Sequence, residues 1–477
     1  MTAPRACALI LLCCIAPPVW SAYLPDSLFE PLYARLDNGM EVYLIPRNGV
    51  HSVSMRLAVG YGTLDEPCGR RELPHFLEHM LFTGTGAHSE EELDALISDN
   101  GGTWNAYTYD DSTVYEVDIF NANARTGLEV LHEIVASPSL AAEKAELTRD
   151  IIARENGGRP SALTSWLLRR GIGMDAWDQA QELLVNALYC REFSSAESIA
   201  LDDVRSAYAR WYVPGNMALF VAGDFTPAEM RAWIAGTFGG LPRAAAPAAD
   251  RPDVAGLDAR REVAGTLAPL LGTEAKVALA FRMPGTQERT GAYDTLLYEQ
   301  LAEVLYNEIR TRRGLAYSAD VEHYTNRDYG LLYAYADTEL STVDEVVAIM
   351  EEELARLRTD GVDAGRLETL KRRSLMKVAQ YFQSNASFAD YLATNWGSMV
   401  RNGEVWNVER AVAGVTAEGF GDYIRRHLDP ERMVVVRHTP VLTYNQFYTI
   451  VLALVLVLAA AGGVWIWRRG GVRRRSE

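Results

Sequence analysis

The apolar and polar positions of this chain run through one order twice. In the first pass, Glu41-Val42-Tyr43-Leu44-Ile45 and residues 53–59 read as strands between the turn-formers Asn38-Gly39, Asn48-Gly49 and Gly60. Leu77 and Leu81 then recur at helical spacing. Ser89-Glu90-Glu91-Glu92 has the form of a helix start, and Asn100-Gly101-Gly102 that of a stop. Residues 113–120 alternate like a strand, helical patterns fill 124–210, and 217–223 is a continuous apolar strand. A Pro- and Ala-rich stretch, 241–255, reads as a linker. The order then restarts with a strand at 276–281, a helix at 292–311, a strand-like run at 322–336 and two helices. Both passes end alike: Pro214 stands three residues before Met217 and Pro430 three before Met433, an offset of 216. The pattern predicts an α+β fold of two homologous domains, 23–240 and 256–440. Each is expected to be a mainly antiparallel sheet with helices packed on one face.

The two ends change the picture. Residues 1–22 have the form of a secretory signal, with Arg5, an apolar run from Ala6 to Ala16 and small residues near Ser21-Ala22. Residues 447–467 are uncharged, apolar and of spanning length, with aromatic flanks at Tyr444, Tyr448, Trp465 and Trp467. The tail 468–477 carries five arginines. The positive-inside rule predicts a single-pass anchor in the inner membrane, with the tail cytoplasmic and the body exported, as to a periplasm.

The formal net charge is −17, and both the leader and the tail are net basic, so the body is more acidic still. That excludes nucleic acid as the expected partner. Beyond the leader only Cys68 and Cys190 remain, and their spacing leaves open whether they pair.

The chemistry concentrates in Leu73-Pro74-His75-Phe76-Leu77-Glu78-His79. On a helix, His75, Glu78 and His79 project from one face. Two imidazoles one turn apart can reach one divalent metal, and a neighbouring carboxylate can take a proton from activated water. The order is HxxEH, the reverse of HExxH. A metal site of this kind needs a third ligand.

The combination resembles the pitrilysin/insulinase family of zinc metallopeptidases. There the third ligand is a Glu about 76 residues beyond the second His, and Glu155 lies 76 beyond His79, after Ile151-Ile152. The segment from Gly101 through Asn105 and Thr108 to Tyr115 resembles the family's GG-x-x-NA-x-T…T-x-Y edge strand, which implies that Asn105 contacts substrate. Arg310-Thr311-Arg312-Arg313-Gly314-Leu315-Ala316-Tyr317 resembles the R-x-x-x-G-L-x-Y stretch, which implies that Arg310 and Tyr317 bind substrate carbonyl groups. Two positions depart from the family. The auxiliary acid seven before the third ligand is Thr148, so that role falls to Glu146 or Asp150 or is absent, and Glu72 replaces a small residue near the metal helix.

The resemblance implies a zinc endopeptidase acting on peptides or unfolded segments. One Zn²⁺ per chain would sit on His75, His79 and Glu155, with Glu78 as general base. One chain carries both the metal motif and the Arg/Tyr motif, which favours a homodimer, or a monomer with an unknown partner, over an obligate pair of a catalytic and a non-catalytic chain. The alternative is a catalytically silent, membrane-anchored binding or assembly subunit.

Overall fold

The structure, a computed structural model, describes residues 24–473 except 25, 68, 160, 169, 171–175, 186–195, 250–256 and 265–269. The leader, Cys68, Cys190, the end of the expected linker (250–255) and residues 474–477 of the basic tail lie outside the described residues.

Strands β1 (Leu32–Arg35), β2 (Glu41–Pro46), β3 (Ser52–Val59), β4 (Thr103–Thr108), β5 (Thr113–Phe120) and β6 (Met217–Gly223) form one sheet, ordered β1-β2-β6-β3-β5-β4. Strands β7 (Arg261–Ala264), β8 (Glu274–Pro284), β9 (Ala316–Thr325), β10 (Tyr329–Glu339) and β13 (Val434–His438) form a second, ordered β7-β13-β8-β10-β9. Strands β11 (Val400–Arg401) and β12 (Glu404–Val405) make a small hairpin.

The helices of the first half are α1 (Leu73–Phe82), α2 (Glu90–Ser98), α3 (Ala124–Ala136), α4 (Ala142–Glu155), α5 (Ala162–Leu168), α6 (Ala176–Val185), α7 (Leu201–Trp211) and α8 (Pro227–Phe238). The second half has α9 (Gly291–Leu305), α10 (Val343–Asp360), α11 (Ala364–Tyr381), α12 (Asn385–Thr394), α13 (Val408–Gly414) and α14 (Ala417–His427), and α15 (Tyr444–Arg473) follows.

The two halves trace the same path. Each sheet is antiparallel except for one pair, β2 with β6 and β7 with β13. Apart from the additional edge strand β1, the order is the same: β2 and β7 make that parallel pair with the last strand of their half, and β4–β5 and β9–β10 form the hairpin that leaves β4 or β9 at the sheet edge. Helices α7 and α14 share the 216-residue offset. One core lies between the first sheet and α1, α3, α7 and α8; its counterpart lies between the second sheet and α9, α10, α11 and α14.

The expectation of helices on one face needs correction, because each sheet is covered on both. The outer face of the first sheet carries Tyr43, Ile45, Ala58 and Phe220, and it is capped by Phe388, Ala389 and Leu392 of α12, from the second half. The outer face of the second carries Ala278, Ala280, Leu331 and Val434, and it is capped by Ala176, Ala180 and Leu184 of α6, from the first half. Apolar outer faces must be removed from water. Burying Phe388 and Leu392 alone supplies roughly 3–6 kcal/mol. The halves are thus interlocked by a reciprocal exchange of one helix.

Three further differences have local causes. The strand-like run at 322–336 is the β9–β10 hairpin, whose turn is set by the Asn326 side chain accepting from the amides of Asp328 and Tyr329, without Gly or Pro. The helix expected to Thr311 ends at Leu305 and continues as one wider π-type turn, Tyr306–Thr311. Residues 241–249 are docked rather than free. Gly215 donates to the Ala244 carbonyl at 3.0 Å, and an added Cβ at Gly215 would meet that oxygen at 2.5 Å. In α15 the stretch Tyr444–Gly463, with a mean hydropathy of 2.0 and none of it buried, is long and apolar enough to cross a membrane.

Candidate metal centre

Helix α1 has Pro in its first turn, where the missing N–H costs nothing. Leu73, Phe76, Leu77, Met80 and Leu81 are buried in the core and fix the helix rotation. That rotation turns His75 and His79 toward α4, with their side chains about a quarter exposed. Helix α4 ends on Glu155, just before Asn156 and the left-handed Gly157 (φ 79°).

His75 Nε2, His79 Nε2 and Glu155 Oε2 form a triangle with sides of 3.2, 3.4 and 3.4 Å. A tetrahedral ion with N and O ligands at about 2.0–2.2 Å has ligand–ligand edges of about 3.3–3.6 Å. The three atoms therefore match one face of such a polyhedron, and the donor set suits a divalent cation. Among the described residues they are also the group of His, Cys and acidic side chains close enough to share an ion.

Glu72 Oε2 lies 3.0 Å from His75 Nδ1. A carboxylate only accepts, so Nδ1 carries the hydrogen and Nε2 keeps its lone pair for a metal. Burial disfavours the charged form of His75, but the Glu72 hydrogen bond and the charges of Glu78 and Glu155 outweigh it and raise its pKa.

Glu78 is buried and accepts from the Thr108 hydroxyl at 2.8 Å. Burial raises its pKa, against the lowering effects of Thr108 and the two imidazoles. Thr108 closes β4, so the edge strand and the candidate base are directly linked. Asn105 lies on β4 opposite Glu116 with its side chain exposed.

Arg310 and Tyr317 belong to the second half and pack against each other. The π-type turn brings the Arg310 guanidinium 5.1 Å from the Tyr306 ring and 5.3 Å from the Tyr317 ring, and Tyr317 is 82% exposed. Among the described residues no hydrogen bond or ion pair joins either to the metal cluster. The β9–β10 hairpin also meets the first domain: Asp110, which accepts from Thr63 of its own domain at 3.0 Å, accepts from Tyr324 and from Asn326 at 2.9 Å. Tyr317 stands seven residues from Tyr324 on the same strand, about 23 Å away.

The auxiliary acid expected at Glu146 or Asp150 is at neither. Glu146 pairs with Arg149 at 2.9 Å and Asp150 with Arg159 at 2.9 Å, both away from the histidines. Thr148 is buried, 3.4 Å from Met80 Sδ. Sequence reasoning passed over Glu72, Thr108 and Asp110 as working residues. The i, i+3 spacing of Glu72 and His75 on a helix was a usable signal.

Residues 42–181 match the insulinase family (peptidase family M16), and 198–374 match the peptidase M16 inactive domain. An uncharacterized zinc protease of Mycobacterium tuberculosis is 25% identical over 421 residues, covering 85% of this chain and 92% of the relative. The crystal structure of a peptidase M16 inactive domain from Pseudomonas fluorescens has a TM-score of 0.73 at 16% identity, covering 87% of this chain and 99% of that one. A protease from Helicobacter pylori has a TM-score of 0.70 at 19% identity, covering 86% and 100%.

Proposed function

We propose that this chain, which belongs to the insulinase (M16) family of peptidases, is a zinc-dependent endopeptidase that cleaves peptides or unfolded protein segments. The observation that carries this reading is the 3.2–3.4 Å triangle of His75, His79 and Glu155 beside the buried Glu78. Two imidazoles and one carboxylate, with a fourth position open, are the donor set of a catalytic zinc site. When bound there, zinc supplies Lewis acidity that polarises a carbonyl and makes water a stronger acid.

Glu78 does the proton work. Thr108 holds its Oε2, which leaves Oε1 to take a proton from the attacking water and return one to the leaving amine. A carboxyl with its pKa raised by burial is better matched to giving the proton back near neutral pH. The substrate adds as a strand to the free edge of β4, with Asn105 within its reach.

Arg310 and Tyr317 act from a second copy of the chain; what supports this is that one chain carries both motifs and that, among the described residues, no hydrogen bond or ion pair joins either residue to its own metal cluster. Donors of this kind stabilise the oxyanion that develops in amide hydrolysis. Helix α15 anchors each copy in the membrane, with the arginine tail on the cytoplasmic side and the peptidase part exported.

The test is zinc content and cleavage of a mixed peptide library by the full-length protein and its Glu78→Gln variant. The reading expects one zinc per chain in both and cleavage only by the parent. A parent that holds zinc and cuts nothing would favour a binding subunit, and equal cleavage by Glu78→Gln would remove Glu78 from its role.

A further inference from the structure

We propose that Glu72 is a positioning residue for the metal centre, its carboxylate tying the helix that carries both histidines to the helix that carries Glu155. This deepens the metal reading above and rests on it. Glu72 Oε2 accepts from His75 Nδ1 at 3.0 Å, and Glu72 Oε1 accepts from Asn156 Nδ2 at 3.1 Å. Asn156 directly follows Glu155 and closes α4. One carboxylate thus touches one candidate ligand directly and the neighbour of another.

An acid at the start of a helix commonly serves the helix itself, by capping its free amides. Glu72 occupies the N-cap position of α1 but makes no capping hydrogen bond, so both its oxygens are committed elsewhere. Its side chain is 21% exposed; the bond to His75 is partly buried and the bond to Asn156 lies at the surface. The acids of α4 nearest in sequence to Glu155 are occupied by arginines, as described above, and Thr148 is turned into the core. Glu72 therefore supplies from α1 the second carboxylate that α4 does not.

The chemical consequences are two. The carboxylate fixes the His75 tautomer, so Nε2 offers its lone pair to the cation, and its charge makes the ring a better donor. The Asn156 arm holds the end of α4, and with it Glu155, at the distance the triangle requires. Loss of such outer partners usually weakens metal affinity 10–100-fold.

The experiment is zinc affinity, measured by competition with a chromophoric chelator on the full-length protein and its variants. The metal-free melting temperature is recorded in parallel. Glu72→Ala is expected to weaken zinc binding about 10–100-fold while the metal-free melting temperature moves by no more than about 2 °C. Glu72→Gln keeps one acceptor without the charge and should fall between Glu72→Ala and the parent. Asn156→Ala cuts one arm only and should weaken binding by less than Glu72→Ala. Zinc affinity within twofold of the parent for Glu72→Ala overturns the proposal; if that variant does not fold, the same result for Glu72→Gln does. A parent that binds no zinc refutes the metal reading itself, and the proposal with it.

Discussion

Replacing Arg56 by methionine should loosen the joint between the two halves. Arg56 is 1% exposed, on the outer face of β3, and three carboxylates converge on it. Its Nε lies 2.5 Å from Asp390 of α12 and 3.4 Å from Glu116, and its Nη2 lies 3.1 Å from Asp118. Removing one member of a buried ion cluster costs about 3–5 kcal/mol, because the remaining charges are left uncompensated. Asp118 and Asp390 are each about a third exposed, so water takes up part of that burden and the lower figure, about 3 kcal/mol, applies. For two interlocked halves of about 400 residues unfolding together that corresponds to roughly 3–4 °C in melting temperature.

The loss should also depend on pH. Burial, opposed by Arg56, leaves the Glu116 pKa raised to about 7. A carboxyl whose folded pKa exceeds its unfolded value destabilises the fold as pH rises past the unfolded value. Without Arg56 the Glu116 pKa rises further and the penalty deepens above neutrality. At pH 5.5 the carboxyl is already largely protonated, so the variant's deficit should be smaller there than at pH 8. Thermal unfolding followed by circular dichroism in detergent, on full-length parent and Arg56→Met, measures both. A melting temperature within 2 °C of the parent, or a larger deficit at pH 5.5 than at pH 8, would refute the reasoning.

Asp294 in α9 is buried, accepts from Tyr423 and Thr290, and has its pKa raised to about 6 by burial. Its ionisation therefore opposes folding increasingly from about pH 4 to pH 6, and Asp294→Asn should gain about 2 kcal/mol relative to the parent between pH 4 and pH 7, read from paired denaturant titrations. Asp110→Ala leaves the donors of Thr63, Tyr324 and Asn326 without their acceptor, at a cost of about 1–3 kcal/mol. Hydrogen exchange should quicken at 109–112 and 324–328 and stay unchanged in β8; uniform quickening would argue against a local latch. Glu78→Gln and Arg310→Ala variants, each inactive alone, should recover up to about a quarter of parental activity when their subunits are exchanged, because half the dimers then carry one intact composite site. No recovery would place both residues in one chain's site.

Much of this molecule is legible because its local signals agree. Strand Met217–Gly223 was bounded as read, since a continuous apolar run between a Pro-Gly-Asn turn and Gly223 has few other uses. The HxxEH spacing brings two imidazoles to one face on any helix, and the buried leucines decide which face that is. What stayed hidden is non-local. The exchange of α6 and α12 links residues about 100 to 350 positions apart, and only the unbroken apolar runs of β2 and β6 hinted that both faces of the sheet are covered. The β9–β10 turn was missed because an Asn side chain, rather than a Gly or Pro, closes it. Glu72 read as a departure from a family pattern, and its partners show what the departure does.

The central claim is that three side-chain atoms hold one zinc ion. X-ray absorption at the zinc edge of the loaded full-length protein tests it most directly. The account predicts one zinc per chain with only nitrogen and oxygen neighbours at about 2.0–2.2 Å, and loss of the bound ion in His79→Ala and Glu155→Ala. Sulfur in the coordination shell, or a spectrum unchanged in both variants, would contradict it.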